Sequence, residues 1–209
     1  MMKHVAALIL GLLLSSFTWA IESPVAMLKT TSDQMIYALK ANHAQIDKNP
    51  RAIYPLVQNI LVPHVDITVM SKLALGRQYW TAATPTQRQA FQKAFLELMI
   101  RTYSTALAAY TNEEIKFKPL RTDFQKQQRV QVDSAILQLG GPPIPVSYRL
   151  FQQQDQWKVY DILVDGVSMV QSFHAQFVDE ITKGGMDGLL AAMHRHAIQA
   201  SAKPTRSGS

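Results

Sequence analysis

The spacing of apolar positions changes once along the chain, near its middle, and divides it into a helical first half and a mainly extended second half. Val25, Leu28, Met35, Ile36, Leu39 and Ile46 recur at roughly helical intervals, which predicts an amphipathic helix of imperfect period. Residues 50–62 predict a shorter helix, and Asp66 is placed to cap a third that stops at Gly76. The sharpest helix start is Thr84-Pro85-Thr86-Gln87: a threonine cap, a proline at the first helical position, and a glutamine placed to return the cap's hydrogen bond. From there Phe91, Phe95, Leu98, Met99, Thr102, Tyr103, Ala106, Leu107 and Tyr110 draw one stripe along a helix of about 26 residues, roughly 39 Å at 1.5 Å per residue. A helix of that reach can brace a whole sheet.

Beyond Ile115 the period falls to two. Ile115 and Phe117 alternate with lysines; Val130, Val132, Ser134 and Ile136 alternate with polar residues; Ile144, Val146, Tyr148 and Leu150 form another row. Gly140-Gly141-Pro142-Pro143 breaks two of these strands apart. In residues 157–164 both alternating sets are apolar, so both faces of that strand should be covered. Four strands joined by short connections predict an antiparallel sheet. Asp165-Gly166 is a turn pair, after which Ser168 can cap a helix whose Val170, Phe173, Phe177 and Ile181 fall three and four apart. Val167 and Met169 sit at this corner, where polar residues would suffice, which predicts that the corner faces an apolar interior. Two closing helices, 169–182 and 187–199, flank Gly184-Gly185, and residues 201–209 read as a disordered tail. Helices, then an antiparallel sheet, then helices is an α+β layout.

The first twenty residues belong to a different category. Lys3 precedes a nearly continuous apolar run over 5–14, and Thr18 and Ala20 are small residues where a signal peptidase reads. Residues 1–20 are therefore expected to be a cleaved secretory signal, with a single domain over 21–200. No later segment approaches the roughly 20 apolar residues of a transmembrane helix, so the mature protein is expected to be soluble outside the cytoplasm. With no cysteine, its core holds without disulfides and thiolate metal sites are excluded. The formal charge of +6 drops by one when Lys3 leaves with the signal. The remaining basic residues are scattered, which argues against nucleic acid and suits either solubility or transient contact with anionic headgroups, at about 1 kcal/mol per nearby cation.

Catalytic chemistry is thin. Gly166-Val167-Ser168-Met169-Val170 departs from Gly-x-Ser-x-Gly at its last position, and a capping serine beside Asp161 on a strand and Asp165 on a turn needs no catalytic explanation. His194 and His196 would point about 200° apart on a helix, unlike an i, i+4 metal pair, and His43, His64 and His174 are isolated. What remains is apolar. The rows Ile144, Val146, Tyr148, Leu150 and Trp157, Val159, Leu163 are expected on one side, facing the helix stripe that ends in Tyr103, Leu107 and Tyr110. Periodicity alone admits a filled core or a pocket there, and such stripes are more often core.

The run WKVYDILVDGVSMV, followed at some distance by GGMDGLL, resembles the MlaC family, periplasmic phospholipid-binding proteins of the Mla lipid-transport system that include toluene-tolerance proteins. LVPHVDITVMSKLALGRQYWTAATPTQRQAFQKAFLELMIRTYSTALAAY is similar to a second pattern of that family: Pro-x-Val-Asp, Leu-Gly, Trp, then Thr-Pro-x-Gln-Arg opening a long helix. The likeness spans residues 24–200 in order; His174 departs from it, standing where many members carry Arg or Lys. The resemblance implies an NTF2-like curved antiparallel sheet of about four strands. A long bracing helix and terminal helices would enclose an apolar cavity with it. It implies a periplasmic monomer that is not an enzyme, with bound phospholipid as cargo and no other cofactor. The partners implied are an outer-membrane lipoprotein-porin complex and an inner-membrane ABC transporter with a periplasmic ring subunit. Candidate lipid-binding residues are Phe95, Met99, Tyr103, Leu107 and Tyr110 on the helix, Val146, Tyr148, Leu150, Val159 and Leu163 on strands, and Val167, Met169 and Val170 at the corner. A lipid-binding chaperone or sensor without directional transport, or a lipid hydrolase, would be the alternatives.

Overall fold

In the computed structural model, which describes residues 22–108, 114–138 and 140–195, prolines and caps set the starts of the helices that open at Pro24, Ile67 and Pro85. Helix α1 (Pro24–Ala41) carries Pro24 in its first turn, where the missing N–H costs nothing. The single helix expected up to Ile46 is interrupted at Asn42, whose Nδ2 donates to the Ala38 carbonyl at 2.8 Å, and the chain resumes as α2 (His43–Lys48). Residues 50–62 likewise do not form one regular helix. A 3-10 turn (Pro50–Ala52) leads into α3 (Ile53–Leu56), a wider π turn (Val57–Leu61) and a second 3-10 turn (Val62–His64). Prolines at 50, 55 and 63 each remove a backbone donor, so no uniform ladder can run through the segment.

Asp66 caps α4 (Ile67–Leu75) as its sequence predicts, its Oδ1 accepting from the Val69 N–H at 2.8 Å. Gly76, at φ +81°, ends that helix and α5 (Arg77–Ala82) follows. The predicted capping box is present at α6 (Pro85–Ala108): Gln87 N–H donates to Thr84 Oγ1 at 3.2 Å, and Thr84 N–H to Gln87 Oε1 at 3.0 Å.

Strands β1 (Glu114–Phe117), β2 (Arg129–Leu137), β3 (Ile144–Gln153), β4 (Gln156–Val164) and β5 (Val167–Ser168) form one antiparallel sheet in chain order. The fifth strand corrects the expectation that Asp165-Gly166 leads straight into a helix. Both turn residues have positive φ, 49° and 78°, the conformation that closes a two-residue hairpin. Ser168 therefore lies on β5, its Oγ accepts from Gln171 N–H at 3.1 Å to cap a 3-10 turn (Gln171–Phe173), and α7 (His174–His194) starts later than predicted. Within α7, Gly184 (φ −142°) and Gly185 (φ +65°) break the helical path where the sequence predicts two separate helices. The molecule is α+β.

Three apolar cores hold these elements. In the first, Phe91 and Phe95 of α6 meet Phe173 and Phe177 with ring centroids 5.3–5.8 Å apart, four aromatic rings packed among α4, α6 and α7. In the second, Met27 and Leu28 of α1 cover Val130, Val132, Leu150, Trp157 and Val159 of the sheet. The third joins Met35, Leu39, Ile46, Ile53 and Val57 to Ile100 of α6. The apolar stripe of α6 thus serves two helical cores. The sheet meets the helical layer elsewhere, through Tyr160 and Met169 and through Asp66, whose N–H donates to the Val159 carbonyl at 2.9 Å. No helix among the described residues is long and apolar enough to cross a membrane. The signal segment 1–20, Tyr110, His196, the end of the last predicted helix and the tail 201–209 lie outside the described residues.

Two stability outcomes follow. At Gly76 an added Cβ would stand 2.9 Å from His174 Cε1, whose ring is fixed by Nδ1 lying 2.8 Å from the Ala74 carbonyl oxygen. With positive φ as well, Gly76→Ala is expected to cost about 1–3 kcal/mol in urea denaturation. Leu107 packs against the third core, so Leu107→Ala should lower stability by about 1–2 kcal/mol, and the gap from the wild type in thermal melts should stay the same when phospholipid is added to both.

Candidate functional site

Residues paired directly across an antiparallel ladder share a face, so the register sorts the sheet. On the first face one rung crosses all five strands: Phe117, Ser134, Val146, Val164 and Val167. Beside it run Ile115, Ile136 and Ile144 on one side, and Val132, Tyr148 and Ile162 on the other, followed by Val130, Leu150 and Val159. Apart from Ser134 and Tyr148 these are aliphatic or phenylalanine. Ser134 is satisfied within the sheet, its hydroxyl donating to the Val146 carbonyl at 3.1 Å. The Tyr148 ring lies 6.0 Å from that of Phe117; burial pushes its phenol pKa up, and a hydrogen bond with Ser134 offsets part of the rise.

Coverage of this face is uneven. The end bearing Val130, Val132, Leu150, Trp157 and Val159 is buried beneath α1. Toward the other end Ile115, Ile136, Ile144 and Val164 are half-buried and belong to none of the three cores among the described residues, and Val167 at the edge is 46 % exposed. A wall of β-branched side chains is thus closed at one end and open at the other. Trp157 stands at the closed end with its indole N–H buried and without a hydrogen-bond partner.

The second face is polar. Ser147 Oγ and Gln131 Nε2 donate to Asp133 Oδ1 at 2.7 and 2.9 Å, and these two hydrogen bonds hold its carboxyl below the usual range. Asp161, 3 % exposed, accepts from Arg149 at 3.2 Å through Oδ2 and from Ser168 Oγ at 2.9 Å through Oδ1. Ser168 is committed at both ends, to the Asp161 carboxylate and the Gln171 N–H, and His174 is turned to the Ala74 carbonyl. The arrangement anchors the β4–β5 corner. Among the described residues no group of three His, Cys, Asp or Glu is placed to hold a metal ion.

The candidate residues from the sequence separate into three groups. Val146, Tyr148, Leu150 and Val159 share the first face. Phe95, Met99 and Val170 are buried in the aromatic core, with Tyr103 and Met169 packed on its margin, where burial raises the Tyr103 phenol pKa. Leu107 joins the third core. Leu163 departs from the expected row with Trp157 and Val159. The register slips between Arg149 and Leu150, leaving Tyr160 as an extra residue on β4, so Leu163 pairs with Ser147 and Ser168 on the second face. Val167 is also corrected: the corner is a surface hairpin, and its side chain lies at the open rim of the first face rather than inside. The sequence pattern does not place Ile162, Met27 or Leu28 at this face. Ile162 lies just past the bulge, and the contact of α1 with the sheet is long-range, so neither leaves a local signal.

The family model described as MlaC protein matches residues 29–195. Toluene tolerance protein ttg2D of Pseudomonas putida is 33 % identical over 170 residues, 81 % of this chain and 78 % of that protein. The intermembrane phospholipid transport system binding protein MlaC of Haemophilus influenzae is 28 % identical over 180 residues, 85 % of this chain and 83 % of its own. Among solved structures, a phospholipid-binding protein from Ralstonia solanacearum in complex with a phospholipid aligns with a TM-score of 0.76 and 32 % identity, covering 83 % of this chain and 96 % of that one. Matched along most of its length by the family's pattern and by relatives of like extent, the chain belongs to the MlaC family.

Proposed function

We propose that this protein is a periplasmic carrier that holds the acyl chains of a phospholipid against the first face of its sheet, with the headgroup outward. The observation that carries this is the apolar rung from Phe117 to Val167, which continues the buried wall beneath α1 into a half-open one. A face whose only purpose was to seal a core would be covered along its length. The Ralstonia solanacearum relative, solved with a phospholipid, supports the same cargo. The relative named for an intermembrane phospholipid transport system supports transfer between membranes; the partners we propose for that transfer are an outer-membrane lipoprotein-porin complex and an inner-membrane ABC transporter with its periplasmic ring subunit.

Magnitudes explain the need for such a carrier. At about 0.8 kcal/mol per CH₂, two chains of roughly fifteen methylenes represent on the order of 24 kcal/mol of gross transfer from water. Spontaneous crossing of an aqueous space is correspondingly slow. An apolar wall replaces hydrocarbon surroundings without hydrogen-bond exchange, since its two polar side chains, Ser134 and Tyr148, are already engaged with each other. Cargo held by burial alone is insensitive to headgroup, and its release requires an apolar acceptor rather than water.

Protein purified without detergent should yield diacyl phospholipid of mixed headgroup on mass spectrometry of its organic extract; repeated lipid-free preparations would sink the carrier reading. Val167→Glu places a carboxylate at the rim of the acyl site, where it must stay wet or take up a proton. Because Val167 is exposed in a hairpin, the variant should keep its circular dichroism spectrum while its lipid content falls. A full complement of lipid in that variant would remove the rim from the site.

A further inference from the structure

The second face of the sheet carries a feature that cargo binding leaves unused. One rung there runs Arg129, Phe151, Lys158, a basic-aromatic-basic row across β2, β3 and β4. The bulge adds Tyr160 beside it, with its ring 6.0 Å from Phe151 and beneath the Arg129 guanidinium at 5.8 Å. Helix α4 runs alongside and presents Val69 and Leu73, the latter 38 % exposed and one of three exposed large hydrophobic side chains among the described residues. Together Val69, Leu73, Arg129, Phe151 and Tyr160 line an open groove of about 120 Å³.

Arg129 is the one charged residue that lines the groove, and Lys158 stands on the same rung, next to Phe151. No carboxylate pairs with Arg129, Lys158 or Lys72 among the described residues. The one acidic group on the adjoining rung, Asp161, is buried and bound to Arg149 and Ser168. Lys158 Nζ donates to the Pro63 carbonyl at 2.7 Å, which neutralises nothing. A groove of this size suits a single ring or branched aliphatic group, since a cavity of roughly 150 Å³ holds one benzene molecule. A flat bilayer surface does not enter a concavity between a helix and a strand. Residues 196–209 do not match it either, since they contain Lys203 and Arg206 and no acidic residue.

We infer that this groove is a docking site for an acidic segment of a partner protein, which seats one apolar side chain between Leu73 and Phe151 and sets carboxylates against Arg129 and Lys158. The site lies on the sheet face opposite the apolar rung, so a partner held there leaves the rim at Val167 free. Charge complementarity of this kind speeds encounter and fixes orientation, and the apolar anchor sets residence time.

The test is a titration of the isotopically labelled protein, followed by NMR, with an acetylated and amidated pentapeptide carrying one phenylalanine between two pairs of glutamates. Saturable shifts at Val69, Leu73, Phe151 and Tyr160 that shrink with added salt are expected. Arg129→Glu and Leu73→Asp should each weaken binding by about tenfold or more, with unchanged phospholipid content in the purified variants. Equal binding of peptides with lysines for glutamates or alanine for phenylalanine overturns the proposal, as do shifts confined to another surface or none at millimolar peptide. If the two substitutions instead abolish sedimentation with phosphatidylglycerol vesicles and leave peptide shifts intact, the face meets a bilayer. If they convert a dimer to a monomer, it meets a second copy. Either result replaces the partner segment. Loss of lipid from the wild-type protein would affect only the carrier reading, because the groove touches none of the first-face residues.

Discussion

Ring contacts among Phe91, Phe95, Phe173 and Phe177 are the interaction on which the remaining structure depends. All four are fully buried, and each stacked or edge-on pair contributes about 0.5–1.5 kcal/mol beyond the area it removes from water. They lock α6 to α7 and, with Met70, Ala74 and Leu75, to α4. The helical layer therefore closes on itself. In most two-layer α+β domains the helices must use the sheet to bury their apolar stripe; here that requirement is met largely among helices, and one sheet face is released for another use.

Attachment between the layers is correspondingly narrow. Val65 bridges Val159, the Asp66 N–H reaches the Val159 carbonyl, and α1 covers one end of the first face with Met27 and Leu28. At the far edge the Asp161 carboxylate ties Arg149 of β3 to Ser168 of β5, fixing the hairpin that carries Val167. Only Asp161 of this network is buried, and removing its partners would leave that carboxylate buried and unpaired, so the network resists local rearrangement even though its net contribution to folding is small. The open half of the apolar wall is thus framed by rigid elements on either side.

Local chemistry was legible in the sequence wherever one residue decides a backbone choice. Thr84 with Gln87, Asp66, Gly76, Asp165-Gly166 and Gly184-Gly185 all act where their residue types predict. Strand rows on β2 and β3 also read correctly, because their alternation is uninterrupted. β4 did not. Its two apolar sets are equally hydrophobic, so nothing in its composition marks the extra residue at Tyr160 that sends Leu163 to the opposite face. The long helix misled for a different reason: a single stripe cannot say whether its neighbour is a sheet or other helices, and Phe95, Met99 and Leu107 turned out to serve two separate helical cores. The segment 50–62, read as one short helix, took an irregular path because Pro50 and Pro55 remove two donors within it and Pro63 a third just beyond.

The half-open wall has a consequence for how this sequence can change over generations. Ile115, Ile136, Ile144 and Val164 belong to none of the three cores among the described residues, so gaining or losing a methylene at these positions alters the shape of the open wall without opening a cavity in the fold. Substitutions at Phe91 or Phe177 have no such latitude. Drift is therefore channelled: the aromatic helical core stays fixed by stability, while the strand ends of the first face, under the carrier function proposed above, are free to follow the lengths and unsaturation of the acyl chains on offer.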